Sequence, residues 1–153
     1  MQTLSLFNRE IRLEVLMPLI QEQLQLGKSV RFNPKGISML PMLRQGVDSV
    51  VISPLPEKLK KYDLPLYRRD DGHFVLHRIV KVRDTYTCIG DNQFVLEHGL
   101  RQDQMIGVVT AFYRAGKRHG VTELGYWLYC RFWHYTRFLR RCLRWAKRKL
   151  GRI

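Results

Sequence analysis

The stretch HFVLHRIVKVRDTYTCIGDN, residues 73–92, holds two runs rich in β-branched and aromatic residues, separated by a tight corner at Arg83-Asp84. Runs of this kind mark extended strands, in which successive side chains point to opposite faces of a sheet. The reading is a hairpin, with HFVLHRIVKV pairing TYTCIG. On the first strand Val75, His77 and Ile79 share one face, while Phe74, Leu76, Arg78 and Val80 share the other. Working outward, SVRFN (29–33), SVVISP (49–54), LPLYRR (64–69) and IGVVTAFYR (106–114) are further short β-branched or aromatic runs, separated by Gly, Asp, Pro and Asn. Such a series predicts a mainly β fold: a small antiparallel, β-barrel-like domain.

Helical periodicity appears only at the two ends. Leu13, Leu16, Ile20 and Leu24 recur at spacings of three and four, predicting a helix from about Asn8 to Leu26 that Pro18 kinks or divides and Gly27 stops. After Thr122 the period returns. Leu128, Phe132, Tyr135, Leu139, Cys142, Leu143, Ala146 and Leu150 fall on one side of a single predicted helix. Arg137, Arg140, Arg141, Arg144, Lys147 and Arg148 fall on the other. The organisation expected is an N-terminal helical segment (1–27), a β domain (28–113), a linker (114–121) and a basic amphipathic helix (122–153).

The formal net charge of +14 is concentrated in the tail, since residues 114–153 carry twelve Lys or Arg and one acid, Glu123. An anionic partner is expected for that segment. Three readings apply: packing on its own domain, phosphate contact with nucleic acid, or an in-plane helix on an anionic membrane surface. The last is preferred, and no nucleic-acid module accompanies the tail. Cys88, Cys130 and Cys142 form neither a metal-ligand spacing nor a disulfide framework, which fits a reducing compartment. No run of about 18 uncharged apolar residues occurs to make a spanning helix. The localisation expected is cytoplasmic and peripheral at the membrane, with a membrane partner protein as a further possibility.

For chemistry, Ser38 stands in GISMLPML (36–43), between a turn and what reads as a short extended run. A serine nucleophile needs a base, and His77 emerges between two β-branched residues that would partly desolvate it and favour the neutral ring. Lys35 and Lys81 are rival bases, Lys81 lying on the His77 face by simple alternation. A carboxylate to orient His77 is offered by Asp91 and by Glu97. No metal or cofactor is implied.

The order of Ser38-Met39-Leu40-Pro41, His77-Arg78 and Gly90-Asp91-Asn92 resembles the signal peptidase I and repressor autoprotease superfamily across roughly residues 28–113. The resemblance implies a serine endopeptidase with Ser38 as nucleophile. Histidine before arginine is similar to the histidine-base branch, which makes His77 the base. That branch places an aspartate where this chain has Glu97, so Asp91 and Glu97 both stand as third members, and Asp91 is expected to be the costlier to neutralise. Gly36 occupies a position where some members carry an oxyanion-binding hydroxyl, which leaves that task to backbone N–H groups including that of Ser38. The implied substrate is an extended leader or signal-type peptide lying along a strand edge and cut after a small residue. The alternatives are a dedicated maturation protease for a specific exported or modified peptide, and a catalytically silent domain that binds membrane or nucleic acid.

Overall fold

A computed structural model describes residues 3–6 and 13–151, with only the backbone described for 3–6 and Leu13. Two compact units result, 1–121 and 122–153. In the first, β1 (Thr3–Leu6), α1 (Leu13–Gln25), β2 (Ser29–Phe32) and β3 (Ser49–Ser53) are followed by β4 (Pro65–Arg68), β5 (Phe74–Leu76) and β6 (Arg78–Val82). Then come β7 (Tyr86–Ile89), β8 (Glu97–Leu100), β9 (Met105–Arg114) and β10 (Lys117–Gly120). The fold is mixed α/β, with antiparallel sheets and one parallel pair, β1 with β2.

In α1, Met17, Ile20 and Leu24 are buried while Pro18 is exposed. Each of those side chains contributes about 1.5–3 kcal/mol by leaving water, enough together to offset the hydrogen bond Pro18 cannot donate. The helix therefore runs through Pro18 instead of dividing. It stops where expected. Gly27, at φ 72°, donates its N–H to the Leu24 carbonyl, and Lys28 donates to Gln23, closing a Schellman motif. The five residues expected to open this helix, 8–12, lie outside the described residues.

The larger sheet has the order β1-β2-β3-β9-β4-β5, with β10 also paired to β9. β3 is buried along its whole length, as the apolar run SVVIS requires of a central strand. A second sheet of three strands, β6-β7-β8, contains the hairpin read from residues 78–89, with Val82 opposite Tyr86. Leu59, Tyr67, Ile79, Cys88, Leu100, Met105 and Val108 form one core to which both sheets contribute. Burial there pushes the Cys88 thiol up to about 12, so it is inert.

The structure corrects the sequence reading at several points. No closed barrel forms among the described residues, because the run read as one strand over 73–82 breaks at His77: β5 ends the larger sheet and β6 begins the smaller. The linker expected at 114–121 is instead a hairpin. Ala115 and Gly116 both take positive φ, 50° and 79°, which is the two-residue turn that matches strand twist and returns the chain as β10. The single tail helix is two, α2 (Leu124–Tyr135) and α3 (Arg137–Leu150). At the break, the Thr136 hydroxyl donates to the Phe132 carbonyl at 2.7 Å while the Thr136 N–H donates to the same oxygen at 3.0 Å. Such back-bonding bends a helix. No helix is long and apolar enough to cross a membrane among the described residues.

Candidate active site

Two loops and a cluster of side chains around His77 hold the candidate residues. The first carries Ser38. Met39, Met42 and Leu43 are buried, and their i, i+3, i+4 spacing folds the segment into a turn in which Leu43 N–H bonds the Met39 carbonyl at 2.9 Å. The extended run expected after Ser38 is therefore absent, and the Leu40–Pro41 peptide bond is cis. Ser38 itself remains half-buried at the start of this turn. Gly36, at φ 96°, donates its N–H to Gln45 Oε1 at 3.0 Å.

The second loop, Gly90-Asp91-Asn92, docks on that turn. Asn92 donates its backbone N–H to the Ser38 carbonyl at 2.8 Å and its side-chain amide to the Ile37 carbonyl at 3.1 Å. Gly90 passes so close that an added Cβ would lie 2.7 Å from the Ser38 carbonyl oxygen. Asp91 turns inward to the buried Arg78, accepting from Nε at 2.9 Å and from Nη2 at 2.8 Å. Arg78 also donates to the Tyr62 carbonyl at 3.3 Å and contacts Met42 Sδ at 3.0 Å. A buried guanidinium is tolerable only when its donors are met in this way. The result is a staple: Arg78 ties the serine turn through Met42 and the docking loop through Asp91, one residue from His77.

The third group surrounds His77, whose side chain is 2% exposed. Its Nδ1 lies 2.7 Å from Glu97 Oε1 and 3.3 Å from the Tyr67 hydroxyl. Glu97 accepts from Arg69 Nε at 2.8 Å and from Arg69 Nη2 at 2.5 Å. Burial lowers the His77 pKa below its ordinary value, and Glu97 only partly opposes it. Burial alone would raise Glu97, yet hydrogen bonding from Arg69 and the charge of His77 bring it below the usual carboxylate range. Tyr67 is pushed up by burial and stays a phenol. A carboxylate bound to Nδ1 fixes the tautomer with the lone pair on Nε2, the arrangement a general base needs.

Of the sequence candidates, His77 and Glu97 are in direct contact, Ser38 is held against the Gly90-Asp91-Asn92 loop, and Asp91 is committed to Arg78. Lys35 and Lys81 are exposed. A bulge between Ile79 and Lys81 breaks the alternation that would align Lys81 with His77. Two site residues escaped the sequence reading, Tyr67 and Arg69. Their i, i+2 spacing in LPLYRR places them on one face of β4 and its extension, but nothing local says that Glu97 lies across from them. Comparison with family models, with curated proteins and with solved structures finds no match.

Proposed function

We propose that this protein is a serine endopeptidase in which Ser38, His77 and Glu97 form the catalytic set within a signal-peptidase-like β domain. Ser38 Oγ attacks the scissile carbonyl while His77 Nε2 accepts its proton. Glu97 holds the Nδ1–H and stabilises the imidazolium that forms. Backbone N–H groups, that of Ser38 among them, receive the oxyanion. As the C–N bond breaks, His77 returns the proton to the leaving amine, and water then hydrolyses the acyl-enzyme by the same base. The chemistry uses no metal or cofactor.

The observation that carries this reading is the 2.7 Å contact between His77 Nδ1 and Glu97, with Arg69 clamping the far side of the carboxylate. The same geometry favours Glu97 over Asp91 as the third member, reversing the ranking expected from the sequence. Support for an extended substrate comes from β5, which ends its sheet immediately before His77 and pairs only with β4 among the described strands. A peptide added along that edge would run past the base. A small residue before the cut follows from the family resemblance.

The test is cleavage of a library of extended peptides by the full chain and by Ser38→Ala. The variant should lose all cleavage while its thermal unfolding stays close to that of the parent. Undiminished cleavage by Ser38→Ala would overturn the assignment.

A further inference from the structure

We infer that α3 is an in-plane anchor for an anionic lipid bilayer, and that this role belongs to α3 alone, not to the whole tail. The inference is independent of the peptidase reading. None of the residues of α3 is buried. Its apolar side chains Phe138, Leu139, Leu143, Trp145 and Leu150 are 78%, 58%, 54%, 60% and 70% exposed. At 100° per residue, Arg137, Arg140, Arg141, Arg144, Lys147 and Arg148 occupy an arc of about 120°. The apolar residues fill the opposite side, interrupted only by Lys149, whose ammonium lies 4.5 Å from the Trp145 ring centre. A lysine leaning on a tryptophan keeps its stem in the apolar face and its charge at the margin, as an interfacial side chain does.

The charge pattern chooses the occupant. α3 contains no acidic residue, and Glu123 is the only one anywhere after Asp103. Joining the apolar faces of two copies would set two cationic flanks beside each other, which is repulsive. Nucleic acid would neutralise the arginines and leave the apolar side chains in water. A bilayer with anionic headgroups satisfies both faces at once, with the apolar arc at the acyl boundary and the guanidinium groups among phosphates. α2 differs: its arginine, Arg131, stacks on Trp127 at 3.5 Å, and it lacks a cationic arc. Arg140 reaches back to α2, lying 3.8 Å over the Trp133 ring and donating to the Trp133 carbonyl, so the two helices meet through it at the Thr136 bend.

The full chain is sedimented with vesicles of phosphatidylcholine alone and of phosphatidylcholine mixed with phosphatidylglycerol, across a salt series. Binding to the mixed vesicles is expected, with little to the neutral ones, and salt should weaken it only in part because the apolar contribution persists. The double variant Leu139→Glu/Leu143→Glu should lose affinity roughly 100-fold. Arg141→Gln/Arg144→Gln/Arg148→Gln should lose about 10-fold or more and show a flatter salt dependence. Both sets lie on exposed positions, so unchanged thermal unfolding serves as the folding control. A duplex oligonucleotide should compete poorly. Three results would overturn the proposal: no binding to the mixed vesicles at low salt, binding untouched by the leucine variant, or displacement of the vesicles by stoichiometric duplex.

Discussion

His77 and Arg78 are neighbours in the chain, and each takes a carboxylate, yet the two pairs are built for different ends. Asp91 and Arg78 are both nearly sealed, with side chains 2% and 3% exposed, and the carboxylate meets the guanidinium in a bidentate fork. Glu97 is 19% exposed and divides its oxygens among Arg69, His77 and the Tyr67 hydroxyl. A closed, bidentate pair holds loops together. A carboxylate shared between a permanent cation and a titratable ring can follow a change in that ring's charge. The contrast explains why an acid in a Gly-Asp-Asn turn and an acid six residues later, alike in sequence, have different work.

Breaking each pair in turn separates the roles. The largest expected effect is on catalysis: Glu97→Gln should lower kcat/KM by roughly 10³–10⁴-fold, because the amide permits the wrong ring tautomer. Its unfolding midpoint should move little. A Glu97→Gln enzyme with near-normal cleavage would remove Glu97 from the catalytic set. Next, Asp91→Ala leaves Arg78 buried without its anion and should cost about 3–5 kcal/mol of stability, measured by denaturant unfolding. If it unfolds normally but is inactive, the comparison is inverted and Asp91 is the catalytic acid.

Smaller effects sharpen the picture. Gly90→Ala should cost about 1–3 kcal/mol, since the new Cβ meets the Ser38 backbone and the loop has to retreat. Activity should fall by more than stability alone predicts, as the serine turn is displaced with it. The smallest effect concerns pH. In the proposed mechanism His77 acts as the neutral ring, and burial lowers its pKa, so the acid limb of the rate profile should have its midpoint below about 6.5. Arg69→Met removes a cation beside the ring, which makes the imidazolium easier to form. The limb should therefore move to higher pH, by about one unit or less. A shift to lower pH would contradict Arg69 as a positioning residue.

These contrasts were only partly legible in the sequence. The β-branched and aromatic runs HFVLHRIVKV and TYTCIG, split by the Arg83-Asp84 corner, announce the hairpin. The break at His77 leaves no local trace, since β5 and β6 read as one run and only sheet pairing divides them. β10 is hidden for a different reason. Lys117-Arg118-His119-Gly120 has no β-branched residue, and it becomes a strand by pairing with the edge of β9, where His119 stacks on Phe112 at 5.2 Å. The run after Ser38 reads as extended because the helical spacing of Met39, Met42 and Leu43 is too short to register as a period. In the site, candidate residue types could be named from order and spacing. Which carboxylate meets the histidine depends on where β8 lies against β7, a tertiary fact.

β9 occupies an unusual place in the order β1-β2-β3-β9-β4-β5. The strands that bracket the serine turn, β2 and β3, and those that lead to the histidine, β4 and β5, are all synthesised before it. Within the sheet these two groups touch only through β9, along Ser49–Ser53 on one edge and Pro65–Tyr67 on the other. A nascent chain lacking residues 105–114 has no strand to join these two groups into one sheet, although the contacts of Arg78 and Asn92 with the serine turn do not involve it. Insertion of β9 is then the event that completes the larger sheet, joining the strands on either side of Ser38 to those that lead to His77.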